Sequence, residues 1–168
     1  GGVKNLNFQA EYNSVRPYSY QGQDSAIGYY HYNQSLGHPM GANFNEFLVM
    51  LNYQYKRVYA SYKMSYIQTA ADSSIYQNFG NNITDIGSQA TTSTNVKIQN
   101  GFAYNVMDHD IRVGFILNPK INMVVEGKLQ FRKYTSKSLG TQGLKSNSFM
   151  VSFATNIFNR YYDVPILF

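Results

Sequence analysis

Between Tyr29 and Glu46 the chain reads Tyr-Tyr-His-Tyr-Asn-Gln-Ser-Leu-Gly-His-Pro-Met-Gly-Ala-Asn-Phe-Asn-Glu. His31 and His38, with the carboxylates of Asp24 and Glu46 nearby in sequence, are donor types that bind metals, but their spacing matches no recurrent ligand motif. His38 precedes Pro39, which biases it toward extended backbone, and Gly37 and Gly41 give the segment turn freedom. That favours a hydrogen-bonded loop histidine over a ligand. No Gly-x-Ser-x-Gly stretch occurs, and serines, histidines and aspartates are scattered, so neither a catalytic residue nor a cofactor is expected. Cysteine is absent, which removes disulfides, thiolate ligands and a cysteine nucleophile.

The same stretch is more suggestive as a surface. Tyr18, Tyr20, Tyr29, Tyr30 and Tyr32, with Asn33 and Gln34, combine flat rings with hydroxyl and amide groups. Such a set can stack on sugar faces and bond sugar hydroxyls; it can equally pack a long loop over a rim, or meet a protein partner. These seven residues are the candidate glycan contacts.

What positions them is a series of strands. Leu6, Phe8, Ala10 and Tyr12 alternate with Asn5, Asn7, Gln9, Glu11 and Asn13, the period of two that places an apolar face behind a hydrophilic one. Phe47, Val49, Leu51, Tyr53 and Tyr55 repeat the pattern, and after Lys56-Arg57 it resumes at Val58, Ala60, Tyr62, Met64 and Tyr66. A two-residue hairpin at 56–57 pairs Tyr55 with Val58 on one face, which agrees with both runs. Ile111, Val113, Phe115 and Leu117 lead into Asn118-Pro119-Lys120, then Ile121, Met123, Val125, Gly127, Leu129 and Phe131; a three-residue turn would pair Leu117 with Ile121. Phe149, Val151, Phe153, Thr155 and Ile157 form the last run. Val96, Ile98, Phe102, Tyr104 and Val106 alternate on even numbers, out of phase with Ile111–Leu117. Either a hairpin at Met107–Asp110 or a bulge there inside one long strand explains the phase change; the bulge is preferred because it keeps six strands running up and down in turn, with all long links on one side.

Links between strands alternate strictly: long at 18–43, 68–94 and 135–147, tight at 56–57 and 118–120. Twenty-residue links are unusual in a compact soluble domain, whereas outer-membrane barrels combine long external loops with short periplasmic turns. Charged residues are only 14% of the chain against roughly 25% in soluble domains, while 16 tyrosines and 11 phenylalanines must be placed. There is no run of about 18 apolar residues, so no transmembrane helix. The net charge of +5 is spread singly, which argues against a nucleic-acid groove.

The fold expected is therefore an all-β, antiparallel up-and-down transmembrane β-barrel in a bacterial outer membrane, the chain supplying about the last six strands of a larger barrel. Phe8, Val49, Leu51, Tyr62, Met64, Phe115, Val125, Leu129 and Phe153 are the lipid-facing set. Glu126, Lys128, Arg132 and Lys63 line a polar interior, and Tyr53, Tyr55, Tyr59, Tyr66 and Tyr134 form interfacial girdles. The opening Gly1-Gly2-Val3-Lys4, without Met or leader, reads as a mature or partial chain. The aromatic ending Tyr161–Phe168 is similar to the terminal signal of outer-membrane assembly, with Pro165 outside the ladder. A soluble β-sandwich or cup that binds carbohydrate is the alternative, with the apolar face turned inward.

The stretches Gly2–Tyr20, Tyr30–Phe44 and Asn118–Asn122, with their Glu-Tyr-Asn-x-Val-Arg-Pro-Tyr and His-Pro-x-Gly-Ala-Asn-Phe motifs, resemble the carboxy-terminal half of the Wzi-like capsule-assembly and gliding-motility-associated barrels of Bacteroidota. The resemblance covers most of the chain. It implies an outer-membrane barrel without enzymatic chemistry, concerned with capsule or other surface polysaccharide, or with a multi-protein envelope complex for secretion, motility or barrel assembly. Its partners would be membrane lipid, surface polysaccharide and other envelope proteins, not nucleic acid.

Overall fold

A computed structural model describes residues 4–22, 28–32, 34–72, 76–82, 97–136 and 143–155. Among them there is no α-helix. Six strands, β1 (Leu6–Val15), β4 (Phe44–Tyr55), β5 (Val58–Ala71), β6 (Phe102–Asn118), β7 (Met123–Ser136) and β8 (Leu144–Ala154), form one sheet in the order β1-β4-β5-β6-β7-β8, each antiparallel to its neighbours. A second, two-stranded sheet of β2 (Tyr30–His31) and β3 (Gln34–Ser35) lies within the first long link. The main sheet is open: β1 and β8 are its two edges.

Side chains alternate across a strand, so the register fixes which residues share a face. On one face, cross-strand rows run Ala10, Val49, Met64, His109, Phe131, Asn147, then Phe8, Leu51, Tyr62, Ile111, Leu129, Phe149, then Leu6, Tyr53, Ala60, Val113, Gly127, Val151, and finally Tyr55, Val58, Phe115, Val125, Phe153. None of these carries a carboxylate, ammonium or guanidinium group. Above them Tyr12, Phe47, Tyr66 and Met107 continue into Lys133 and Lys145, and above those stand Ser14, Asn45, Gln68, Asn105 and Thr135. All nine residues of the expected lipid-facing set share this face. No second layer covers it among the described residues: Phe8, Phe149 and Phe153 are 65%, 69% and 61% exposed. His109 is accommodated there because the Tyr62 hydroxyl lies 2.8 Å from its Nδ1.

The opposite face is polar in its middle and apolar at its loop end. The buried side chains Phe44 and Ile67 lie there, in rows with Val106, Tyr104 and Tyr134, the two tyrosine rings 5.0 Å apart. This corrects two expectations. The strand at 102–118 is single, but it pairs with β5 from Phe102 to Phe115 without a register shift, so there is no bulge at Met107–Asp110. The phase change arises because Phe102, Tyr104 and Val106 line the covered end of the otherwise polar face. Tyr59 and Tyr134 also lie on that face, so they are not part of a girdle on the apolar one.

The Lys56-Arg57 hairpin has Tyr55 opposite Val58, as the pattern requires, with Lys56 at φ 52°. The second tight turn is longer than three residues. Pro119–Ile121 form a 3-10 turn in which Asn118 accepts from the Lys120 amide and Asn122 takes a left-handed φ of 46°. Ile121 is thereby withdrawn from β7; Asn118 pairs with Met123 and Ile116 with Val124, leaving Leu117 in the irregularity. Both tight turns sit at one end of the sheet. The residues called upon at Ile157 and Tyr161–Phe168, and Val96, lie outside the described residues.

Gly114 shows how the polar face is locked. The Tyr59 ring lies where a Gly114 side chain would be, and its hydroxyl reaches across to donate to Glu126 at 2.9 Å. Gly127, in contrast, has only the Val113 carbonyl at 4.0 Å from a built Cβ. Gly114→Val is expected to displace Tyr59 and lower stability by about 1–3 kcal/mol in denaturant unfolding, whereas Gly127→Ala should leave the midpoint unchanged.

Candidate functional site

The first two long links meet at the loop end, at Asn43. It is fully buried, at φ 61° in the left-handed region that asparagine tolerates better than most residues. Its Nδ2 donates to the Asn100 carbonyl at 2.9 Å, its Oδ1 accepts from the Gln99 amide at 2.9 Å, and its own carbonyl accepts from the Thr69 hydroxyl at 2.9 Å. Its amide faces the Arg16 carbonyl at 3.4 Å. One side chain and its backbone thus tie the β1–β4 link to the end of β5 and to residues 99–100.

Beside it, His38 is held from both ring nitrogens. Nδ1 accepts from the Met40 amide at 3.2 Å, which leaves Nε2 to carry the proton toward Glu46 at 3.1 Å. Glu46 also accepts from Asn13 at 3.1 Å, and the His38 ring packs on Phe44 at 4.6 Å. His31 is exposed and meets only the edge of Tyr32 in the ring contacts observed, 4.2 Å away. The two histidines do not converge, and among the described residues no three His, Asp or Glu side chains gather as a metal site would need.

The candidate glycan contacts separate into two groups. Tyr18 donates to the Asn78 carbonyl at 2.8 Å, and the Tyr20 hydroxyl accepts from the His38 amide at 3.0 Å while its ring lies over Gly37. Tyr30 folds against Gly28. These three hold the loops in place. Tyr29 is exposed, with its ring 5.9 Å from that of Tyr20, and Tyr32 projects with 90% of its surface free. Gln34 is exposed and lines an open cleft of about 500 Å3 with Ser35, Pro39, Met40, Asn81 and Asn82. Asn33 lies outside the described residues. Of the lining residues only Gln34 was singled out in sequence; Asn81 and Asn82 reach the cleft through the second long link and carry no local signal for it.

The cleft has a defined chemistry. Its polar groups are amides and a hydroxyl, its apolar walls are Pro39 and Met40, and among the described residues no charged side chain lines it. Amides offer both donors and acceptors, as a polyol requires.

The polar face of the sheet is instead charged and internally neutralised. Asp110 lies 2.8 Å from Arg112 Nε and 2.8 Å from Lys128 Nζ, and Asp108 takes Arg132 at 3.1 Å and Gln130 at 3.0 Å. Lys63 stands opposite Asp110 in the register, so Glu126, Lys128, Arg132 and Lys63 do share this face. Among the described residues every buried side-chain nitrogen and oxygen has a hydrogen-bond partner. A network so matched stabilises a surface.

Comparison of the chain with models of protein families, with curated proteins and with solved structures finds no match.

Asn43→Ala should cost about 3 kcal/mol, from lost buried hydrogen bonds and left-handed backbone strain. Asn43→Gly, which relieves the strain alone, should cost less. In both variants amide exchange at Gln99 should accelerate, a local readout that a general loss of stability would not single out.

Proposed function

We propose that the chain is part of an outer-membrane β-barrel whose loop end faces the cell exterior and holds surface polysaccharide, capsule being the first candidate. The observation that carries the barrel reading is the uncovered apolar face. From the Tyr12–Phe47–Tyr66 row to the Tyr55–Val58 row is eight residues, about 27 Å along a strand. A tilt of about 40° reduces this to about 21 Å, near the roughly 25 Å apolar band of such barrels. Aromatic rings edge the band at both ends, amide and hydroxyl side chains follow at the loop end, and tight turns close the other. A soluble cup would require this face to turn inward onto a second apolar layer. Further strands pairing with β1 and β8 would complete the cylinder, because unpaired backbone groups are costly in lipid.

The polysaccharide part rests on the uncharged amide cleft, the projecting rings of Tyr29 and Tyr32 beside it in sequence, and the resemblance to Wzi-like capsule-assembly barrels. A second reading, a barrel subunit of a multi-protein envelope complex, draws on the exposed apolar side chains Leu36 and Tyr76 at the same end.

Two experiments test the two parts. In lipid vesicles Leu129→Lys, in the middle row of the apolar face, should lower stability by about 2–4 kcal/mol, and Ser148→Lys on the polar face should change it little. Equal tolerance of both would remove the membrane reading. Tyr32→Asn, chosen because Tyr32 has φ 48°, combined with Gln34→Ala should weaken binding of neutral oligosaccharides about tenfold, an effect of about 1.4 kcal/mol. Unchanged binding in titration would leave the envelope-complex reading.

A further inference from the structure

Two lysines stand directly opposite each other on the apolar face. Lys133 of β7 pairs in register with Lys145 of β8, at the level of the Tyr12, Phe47 and Tyr66 rings. Like charges facing each other across a sheet repel. No carboxylate of the described residues bridges them: the nearby Asp108 projects from the other face and is taken by Arg132 and Gln130. The Lys133 stem runs toward Gly143, where a built Cβ would lie 3.4 Å from its Cε, so the chain extends toward the loop end. Met107 in the same row, His109, Phe131 and Asn147 one row below, and the neighbouring Arg132, whose guanidinium is engaged by Asp108, join the two lysines in walling a pocket of about 210 Å3. His109 Nδ1 is already bonded to Tyr62, and the pocket surface is mostly apolar, with Asn147 the other polar side chain below the lysines.

We propose that this pocket binds an anionic, phosphate-bearing lipid of the surrounding membrane. The proposal rests on the barrel reading above, and adds a specific lipid site to it. The headgroup phosphate sits between the two ammonium groups and relieves their repulsion, and the acyl chain runs down the face past Phe131 and Leu129. The vertical order matters: cations lie at the interfacial row and rings below, which is the polarity of an amphiphile entering from the loop side. An acidic protein segment would satisfy the lysines but would leave the apolar floor without a tail to cover it.

The chain contains no tryptophan, so Phe149→Trp places one reporter on the same face, outside the pocket lining. The full chain in vesicles is challenged with brominated phosphatidylglycerol or brominated phosphatidylcholine, and quenching gives their relative affinity. Each lysine near an anionic surface is worth a factor of about five, so preference for phosphatidylglycerol should reach up to about 25-fold. In Lys133→Gln/Lys145→Gln it should fall to about one, and in Lys133→Arg/Lys145→Arg it should persist. Equal quenching by the two lipids in the parent overturns the lipid site while leaving the barrel reading intact. Loss of the preference on adding inorganic phosphate, against chloride of matched ionic strength, also overturns it by assigning the lysines to free anions. No quenching by either lipid overturns the barrel reading itself.

Discussion

A sheet six strands wide with one face mostly apolar has a solvation problem that the described residues do not solve. Every aromatic and aliphatic side chain of that face from Leu6 to Phe153 is placed there by strict alternation, and nothing in the described residues lies over it. At about 25 cal/mol per Å2 of apolar surface, leaving such a face in water is among the costliest arrangements a domain can adopt. Everything else follows from where that face goes. If it meets lipid, the polar face must enclose water, the edges must be paired, and the links at one end must carry whatever the protein does outside.

The other face is built consistently with that constraint. Its middle rows hold Asp108, Asp110, Arg112, Lys128 and Arg132 in close ion pairs, an arrangement that tolerates water while holding the strands in register. Tyr59 lying across Gly114 to Glu126 adds a link that spans three strands. Among the described residues the dry packing is at the loop end, where Ala42, Phe44, Ile67 and Ala70 are buried beneath the links. The described residues thus form a small cap core and a large sheet whose stability depends on its surroundings.

That division has a functional consequence. Rigidity at the loop end comes from Asn43, His38 and Glu46, whose bonds are satisfied within the protein, so Tyr29, Tyr32 and Gln34 are presented on a supported surface. Residues that anchor and residues that project alternate within a few positions. Tyr20 and Tyr30 are spent on packing against Gly37 and Gly28, whereas Tyr32, two positions before Gln34 in sequence, is exposed.

Alternation of two made the strands, their faces and the 56–57 hairpin readable from the chain alone, because side-chain direction in a strand is a local property. Period two also put Phe8, Val49, Leu51, Tyr62, Met64, Phe115, Val125, Leu129 and Phe153 on one face, where the register has them. It misled where an apolar run meant cover by a distant segment: Phe102, Tyr104 and Val106 look like a phase slip in sequence, and only the packing of the links over them reveals an unbroken strand. Ile121 likewise reads as a strand residue until Asn118 and Asn122 wind it into a turn. Asn43, Asn81 and Asn82 were illegible as site residues because their roles depend on segments more than thirty positions away meeting at one end, and no spacing along the chain encodes that meeting. What local chemistry determines is which way each side chain points; what it points at is decided by long-range pairing.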